Sequence, residues 1–396
     1  MERNDATILT PEEVQEFSQE FDDIFTGHET SIPSFIQTLV NLSNECDDYL
    51  NSRLRKKLAE HFNRSEQDLE REALEFFQDE LLNLKRAIDE AYSKSEWLSV
   101  IDICDSLIIF FNVRTYWEEL EETLKIALNA SQKSKNKLAE ARVLNNLGHT
   151  FRLLGRAKDG INHSLQSIEI FKQLQDQRGK AEALYTIGYL YRSVGNWEES
   201  IKSFNQCLSL FEHLEDLVGK AGALDGLGQV YTKQLSLDKA EEVLQESLKI
   251  KEEIGDRFQL SITCNNLGKV YVQKGKLEEA ENLFRKSLAI KLEIGDRQGQ
   301  GVSFNELGEV FRLKGEFEQA LEYYQKSLKV KKQVAASESS AISDNHGEGL
   351  TWMNMGLLFR DKGEIEQAII HWKHASEKLN PYSPELEQVQ LWLELF

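Results

Sequence analysis

Glycine recurs at positions 148, 188, 228, 268 and 308, forty residues apart each time, and again at 356 after a gap of forty-eight. A period of this size restricts the chain to a stack of small units. No such unit can bury its apolar face alone, so each must close against its neighbours. Three residues after each glycine stands an aromatic: Phe151, Tyr191, Tyr231, Tyr271, Phe311 and Phe359. Seven after it stands a second glycine (155, 195, 275, 315, 363), with Leu235 as the exception.

Further along each unit a small residue recurs (Ser200, Ala240, Ala280, Ala320, Ala368), followed four positions later by Phe204, Leu244, Phe284, Tyr324 and Trp372. Spacings of three and four are helical, and the second glycine marks a turn between two helices. Small residues let paired helices approach and bulky ones fill the space between them. The reading is therefore all-α: a right-handed superhelical solenoid of helix–turn–helix repeats with an N-terminal helical region.

Asp176, Asp216, Asp256 and Asp296 precede the first helix of successive units, with Asn136 in the same register and Asp344 at the matching offset after an insertion. Such residues can accept bonds from the open amides of a helix start. The stretch EIGDRQGQG, 293–301, has the glycines of a phosphate loop but follows a helix, and its sister EIGDRFQLS, 253–261, lacks two of them. It reads as a joint: Gly295 stops one helix, Asp296 caps the next, and Gly301 takes the small slot of Ala141, Ala181, Ala221 and Ser261.

One period further back lies a degenerate unit, in which Ile108 holds the glycine slot and Phe111 the aromatic slot. The expected organisation is an acidic helical region over 1–66, a long helix within 67–100 leading into the array, a degenerate repeat over 101–140, six repeats over 141–380 with an insertion near 335–345, and a capping helix over 384–396.

The pattern L-G-x-x-[YF]-x-x-x-G, followed by the small and bulky residues, resembles the tetratricopeptide repeat, strongly over 141–378 and weakly over 101–140. The forty-residue length and the EIGDR junctions are similar to the long variant of kinesin light chains and G-protein-signalling modulators. Gly160 in the small slot and Ser164 in the bulky slot depart from the pattern. Residues 80–128 also resemble the segment leading into the repeats of bacterial STAND-type signalling ATPases. No G-x-x-x-x-G-K-[ST] motif accompanies it.

Net charge is −20, which disfavours a nucleic-acid partner. No run of eighteen apolar residues is present, so membrane insertion is not expected. Cys46, Cys104, Cys207 and Cys264 form no C-x-x-C pair and read as reduced thiols of a cytoplasmic protein. His371 and His374 have metal-compatible helical spacing but lack a third ligand. No catalytic motif, cofactor or metal site is expected, and the chain reads as non-catalytic.

The remaining signal is a variable stripe on the first helices. Counted from each glycine, positions −3, +1 and +4 share a helix face. They read Asn145, His149, Arg152; Tyr185, Tyr189, Arg192; Asp225, Gln229, Thr232; Asn265, Lys269, Val272; Asn305, Glu309, Arg312; and Met353, Leu357, Arg360. Position −2 adds Asn146, Asn266 and Asn354. The resemblance implies that this stripe lines an inner groove whose asparagines bind the backbone of an extended peptide.

Arg152, Arg192, Arg312 and Arg360 would form a basic strip able to pair carboxylates. The expected function is a scaffold or adaptor that binds an extended acidic protein or peptide segment. Residues 1–50, with 12 Asp or Glu against one Arg, are a candidate for intramolecular contact with that groove. The alternative is a ligand- or peptide-responsive signalling regulator with its output in the N-terminal helical region.

Overall fold

The computed structural model describes residues 65–337, 345–380 and 383–396. Most of the expected acidic region 1–66, with Cys46, lies outside the described residues, as do 338–344 of the insertion, including Asp344. The described chain is all-helical. It contains α1 (Glu66–Ser93), α2 (Trp97–Arg114), α3 (Trp117–Lys133), α4 (Lys137–Leu153), α5 (Ala157–Gln173), α6 (Gln177–Ser193), α7 (Trp197–His213) and α8 (Leu217–Lys233). Then come α9 (Leu237–Ile254), α10 (Arg257–Gln273), α11 (Leu277–Glu293), α12 (Arg297–Leu313), α13 (Phe317–Ser337), α14 (Asn345–Asp361), α15 (Ile365–Lys378) and α16 (Pro384–Leu395). The first pair, α2 with α3, opens a few residues before the expected start.

Two compact units, Met1–Thr186 and Ile187–Phe396, divide the chain within α6. In the first unit, the core joins Phe77 of α1, Phe110 and Phe111 of α2, Leu124 of α3, and Leu147 and Phe151 of α4. Phe77 and Phe110 meet with ring centroids 5.3 Å apart. In the second unit, helices pack on their sequence neighbours, and the first helices of adjacent repeats also touch, α8 on α10 and α12 on α14. Helix α16 closes the end, with Trp392 5.1 Å from Trp372.

The junctions follow the sequence. Asn136, Asp176, Asp216, Asp256 and Asp296 each accept a bond from the backbone amide three residues on, at 3.1, 2.9, 2.9, 3.0 and 2.8 Å. Gly295 has φ +74°, so EIGDRQGQG is a helix stop and a capped helix start. At the turn inside the α8–α9 pair, Leu235 takes the left-handed φ of +58°, as Thr115 does inside the α2–α3 pair, while glycines 155, 195, 275, 315 and 363 serve the other pairs.

Close helix approach is built around the bulky slot. Phe204 is fully buried, and its ring sits where a Cβ on Gly188 or Gly226 would come within 2.8 or 2.4 Å of it. The small slot has its own partner: Ser167, Ser247, Ser287 and Ser327 donate to the carbonyls of Ala141, Ala221, Ser261 and Gly301 at 2.7, 3.0, 2.7 and 2.7 Å. Cys207 occupies the equivalent place on α7.

Four residues after that serine register comes a change of chemistry. Phe171 and Phe211 pack where a Cβ on Gly179 or Gly219 would clash. In the next three repeats the slot holds Lys251, Lys291 and Lys331, all buried. Lys251 pairs with Asp225 and donates to Thr263 at 2.8 Å, and Thr263 donates to Asp225 at 3.0 Å. Lys291 donates to Ser303 at 3.0 Å, and Lys331 to Thr351 at 2.9 Å and the Gly347 carbonyl at 2.6 Å.

The carboxylate slot of Asp225 becomes Asn265 and Asn305 in the following repeats, so Lys291 is buried with an amide where Lys251 has an acid. Burial lowers the Lys291 pKa to about 8; Asp296 opposes this and Lys269 adds to it.

A lysine with a depressed folded pKa binds fewer protons folded than unfolded. Its penalty is fully present below pH 8 and is relieved as pH rises toward the ordinary value of 10.5. Wild type should therefore gain about 2–3 kcal/mol on Lys291→Met between pH 7 and pH 10, measured by urea titration at both pH values. A constant difference would mean that Lys291 keeps its proton as an exposed lysine does. At neutral pH, Leu235→Gly should stabilise the protein by about 1 kcal/mol, because Leu235 is exposed and contributes little packing. Gly226→Val should cost about 1–3 kcal/mol by overpacking Phe204.

Candidate functional site

The stripe on the first helices is not uniform. In the second unit, Asp225, Asn265 and Asn305 at position −3 are buried. Asp225 is consumed by the Lys251–Thr263 contacts, and Asn265 Oδ1 lies 3.4 Å from the Ser303 hydroxyl. Asn305 Oδ1 accepts from Asn354 Nδ2 at 3.3 Å. These side chains face the seam between repeats, because position −3 of one first helix abuts the next first helix and the lysine slot.

Positions +1 and +4 stay partly open. Lys269 is exposed and pairs with Glu306 at 3.2 Å. The Arg192 guanidinium lies 5.1 Å from the centre of the Tyr189 ring, and its Nε is sealed from solvent with no hydrogen-bond partner. Asn266 Nδ2 is in the same condition. Arg312, by contrast, is held by Glu309 at 2.7 Å and by Asp361, while Arg360 bonds Asp361 at 2.8 Å.

Two of the four arginines of the expected basic strip thus meet carboxylates within the chain. Carboxylates at +1 and +5 neutralise the last two, so Arg192 is the arginine of the second unit's stripe with an open donor.

In the first unit, Asn145, Asn146, His149, Arg152 and Tyr185 are all half-buried. Arg152 donates to His149 Nε2 at 3.1 Å. Burial, with Arg152 beside it, pushes the His149 pKa down to about 4, so the imidazole is neutral and its Nε2 is the acceptor. Asn145 Oδ1 is buried without a partner.

Two residues of the degenerate repeat share this face and were passed over in the sequence, Asp105 at −3 and Asn112 at +4. Their Oδ1 atoms are also buried and unpartnered. Counting the register back from Ile108 would have found both.

His371 and His374 pack around an aromatic. Their rings lie 5.4 and 5.0 Å from Trp352, and His371 is 4.6 Å from Phe359. Among the described residues no group of three or more His, Cys, Asp or Glu could hold a metal ion. No helix among them is long and apolar enough to cross a membrane.

Residues 179–253 and 256–333 match the tetratricopeptide repeat family. Among curated proteins none matches the sequence. Among solved structures, aspartyl phosphate phosphatase F from Bacillus subtilis is similar with a TM-score of 0.60 at 12% identity, over 91% of this chain and 97% of that one. The STAND protein with a tetratricopeptide repeat sensor from Pyrococcus horikoshii gives 0.55 at 16% identity, over 83% of this chain and 48% of its own. A tetratricopeptide repeat protein from Parabacteroides merdae gives 0.51 at 16%, over 75% and 98%. At such identities the likeness is one of fold. Residues 179–253 and 256–333 therefore carry tetratricopeptide repeats, in a chain whose described residues form helices packed in sequential pairs.

Proposed function

We propose that this chain is a non-catalytic scaffold that binds an extended segment of a protein partner along the open face of its first helices. The carrying observation is the pair of polar atoms left without a hydrogen-bond partner on that stripe in the second unit: Arg192 Nε and Asn266 Nδ2. A buried donor or acceptor left unmade costs about 1–3 kcal/mol. The five junction caps of these repeats are satisfied, while Ser164 Oγ and Trp372 Nε1 on second helices are also without a partner.

An extended segment presents alternating N–H and C=O groups. Asn266 can donate to a carbonyl and Arg192 can donate to a carboxylate. With Arg312 and Arg360 already paired, the acidic preference of the partner narrows to what Arg192 can reach. Acidic residues 1–50 remain a candidate occupant within the same chain.

Peptide arrays read with wild type, Asn266→Ala and Arg192→Ala test this. Each variant should weaken the best wild-type binders by about fivefold or more, while its melting temperature stays equal or rises, because an unmet group has been removed. Binding that is unchanged in both variants overturns the proposal, as does a loss of binding that follows a loss of stability. Deleting residues 1–50 should tighten the same peptides if that segment occupies the groove.

A further inference from the structure

Helices α1 and α3 flank α2 and leave a cleft of about 330 Å³ between them, lined by Asp89 and Tyr92 of α1 and by Lys125, Ile126 and Asn129 of α3. That volume lies at the lower end of the range for small-molecule sites, about 300–1,000 Å³. Tyr92 meets Asn129, 37 residues on, and Lys133, 41 residues on. Asp89 stands one turn before Tyr92 and Lys125 one turn before Asn129, which sets an acid and a base on facing walls.

One end of the cleft is closed by a chain of hydrogen bonds. Lys133 Nζ donates to the Tyr92 hydroxyl at 2.9 Å, and that hydroxyl donates to Asn129 Oδ1 at 2.6 Å. The Lys133 ammonium also lies 4.5 Å from the centre of the Tyr92 ring and 4.7 Å from that of Trp97. An ammonium can only donate, so the direction of the chain is set and it occupies Asn129 Oδ1. Asn129 Nδ2 is left with both of its N–H bonds unused.

The facing charges are unused by each other. Asp89 makes no ion pair among the described residues, and Lys125 turns to Glu121 at 2.6 Å. Glu121 is held independently by Arg156 at 2.7 Å, so Lys125 can leave it without stranding a carboxylate. Between α9 and α11 the comparable gap is shut by an ion pair of Glu252 with Lys286. Between α1 and α3 the acid and the base instead border an open cleft, with half-buried Ile126 as its apolar lining.

We infer that this cleft is a binding site for a small zwitterion of the α-amino-acid class with an apolar side chain. Its ammonium pairs with Asp89, its carboxylate takes Lys125 and Asn129 Nδ2, and its side chain lies on Ile126 and the Tyr92 ring. Charges of both signs on facing walls select a ligand that carries both. A simple anion would meet Asp89, and a simple cation would meet Lys125. Neither helix carries the stripe proposed for a partner segment, so the two readings stand or fall separately.

The experiment titrates the full chain with L-leucine by isothermal calorimetry, beside N-acetyl-leucine, which lacks the ammonium, and leucinamide, which lacks the carboxylate. Wild type should bind leucine and should bind each analogue about tenfold or more weakly, the loss of one charge-assisted bond. Asp89→Asn should weaken leucine about tenfold and abolish the discrimination against N-acetyl-leucine. Lys125→Gln should weaken leucine similarly and reduce the discrimination against leucinamide. Both side chains are exposed, so both variants should melt with wild type.

No binding of leucine or of any other apolar amino acid overturns the inference, as do equal affinities for leucine and its two analogues. Leucine binding that is unchanged in Asp89→Asn also overturns it. If a variant melts lower, the analogue series on wild type decides.

Discussion

The structure depends on one contact, repeated: a bulky residue of the second helix set against a glycine of the first. Ideal Cβ atoms on Gly228, Gly268, Gly308 and Gly356 would come within 2.4, 2.6, 2.6 and 2.3 Å of Leu244, Phe284, Tyr324 and Trp372. Each of those four side chains is fully buried. The glycine supplies the space, the large side chain fills it, and the pair closes at near-crystalline packing density. With the pair closed, its outer face is apolar and needs the next pair. The slot is adjustable: Ser164 occupies it against Gly148, so the α4–α5 pair closes around a small residue.

Between pairs the interior turns polar toward the C-terminal end. A buried lysine is costly unless its charge is compensated, and the three lysine slots meet that cost differently. Lys251 has a carboxylate and a hydroxyl, Lys291 has a hydroxyl beside an amide, and Lys331 has a hydroxyl and a backbone carbonyl. Apolar Phe171 and Phe211 serve the same slot in earlier repeats. Polar seams of this kind fix register, because a slipped repeat would strand an ammonium in an apolar slot.

Most of the scaffold was legible because its determinants are local. Period, caps and turn glycines are set by residues three to seven apart. The five junction caps bond as their sequence positions imply, and even the exception, Leu235, shows itself as a leucine in a glycine place. The lysine slot was not legible for a physical reason. A lysine near the end of an amphipathic helix reads as a surface charge favoured by the helix dipole, and its burial depends on a hydroxyl twelve or more residues on. The carboxylate partners of the arginine stripe were legible only in part. Arg312 has the expected position and Glu309 lies one turn before it on the same helix, but Asp361 comes from across the insertion and only packing brings it there.

A repeat array lets one position change its task without changing its place. At position −3, Asp225 belongs to the seam because the next repeat supplies donors. Asn305 belongs there because Asn354 does. Asp105 and Asn145 occupy the same place in repeats whose matching positions hold Ser131, Val143, Phe171 and Ala183, and their Oδ1 atoms have no hydrogen-bond partner. Whether such a side chain is structural or addressed to a partner is decided by its neighbours in the next repeat. Identical aspartates at identical register are thus fully paired in one repeat and left with an unpartnered oxygen in another.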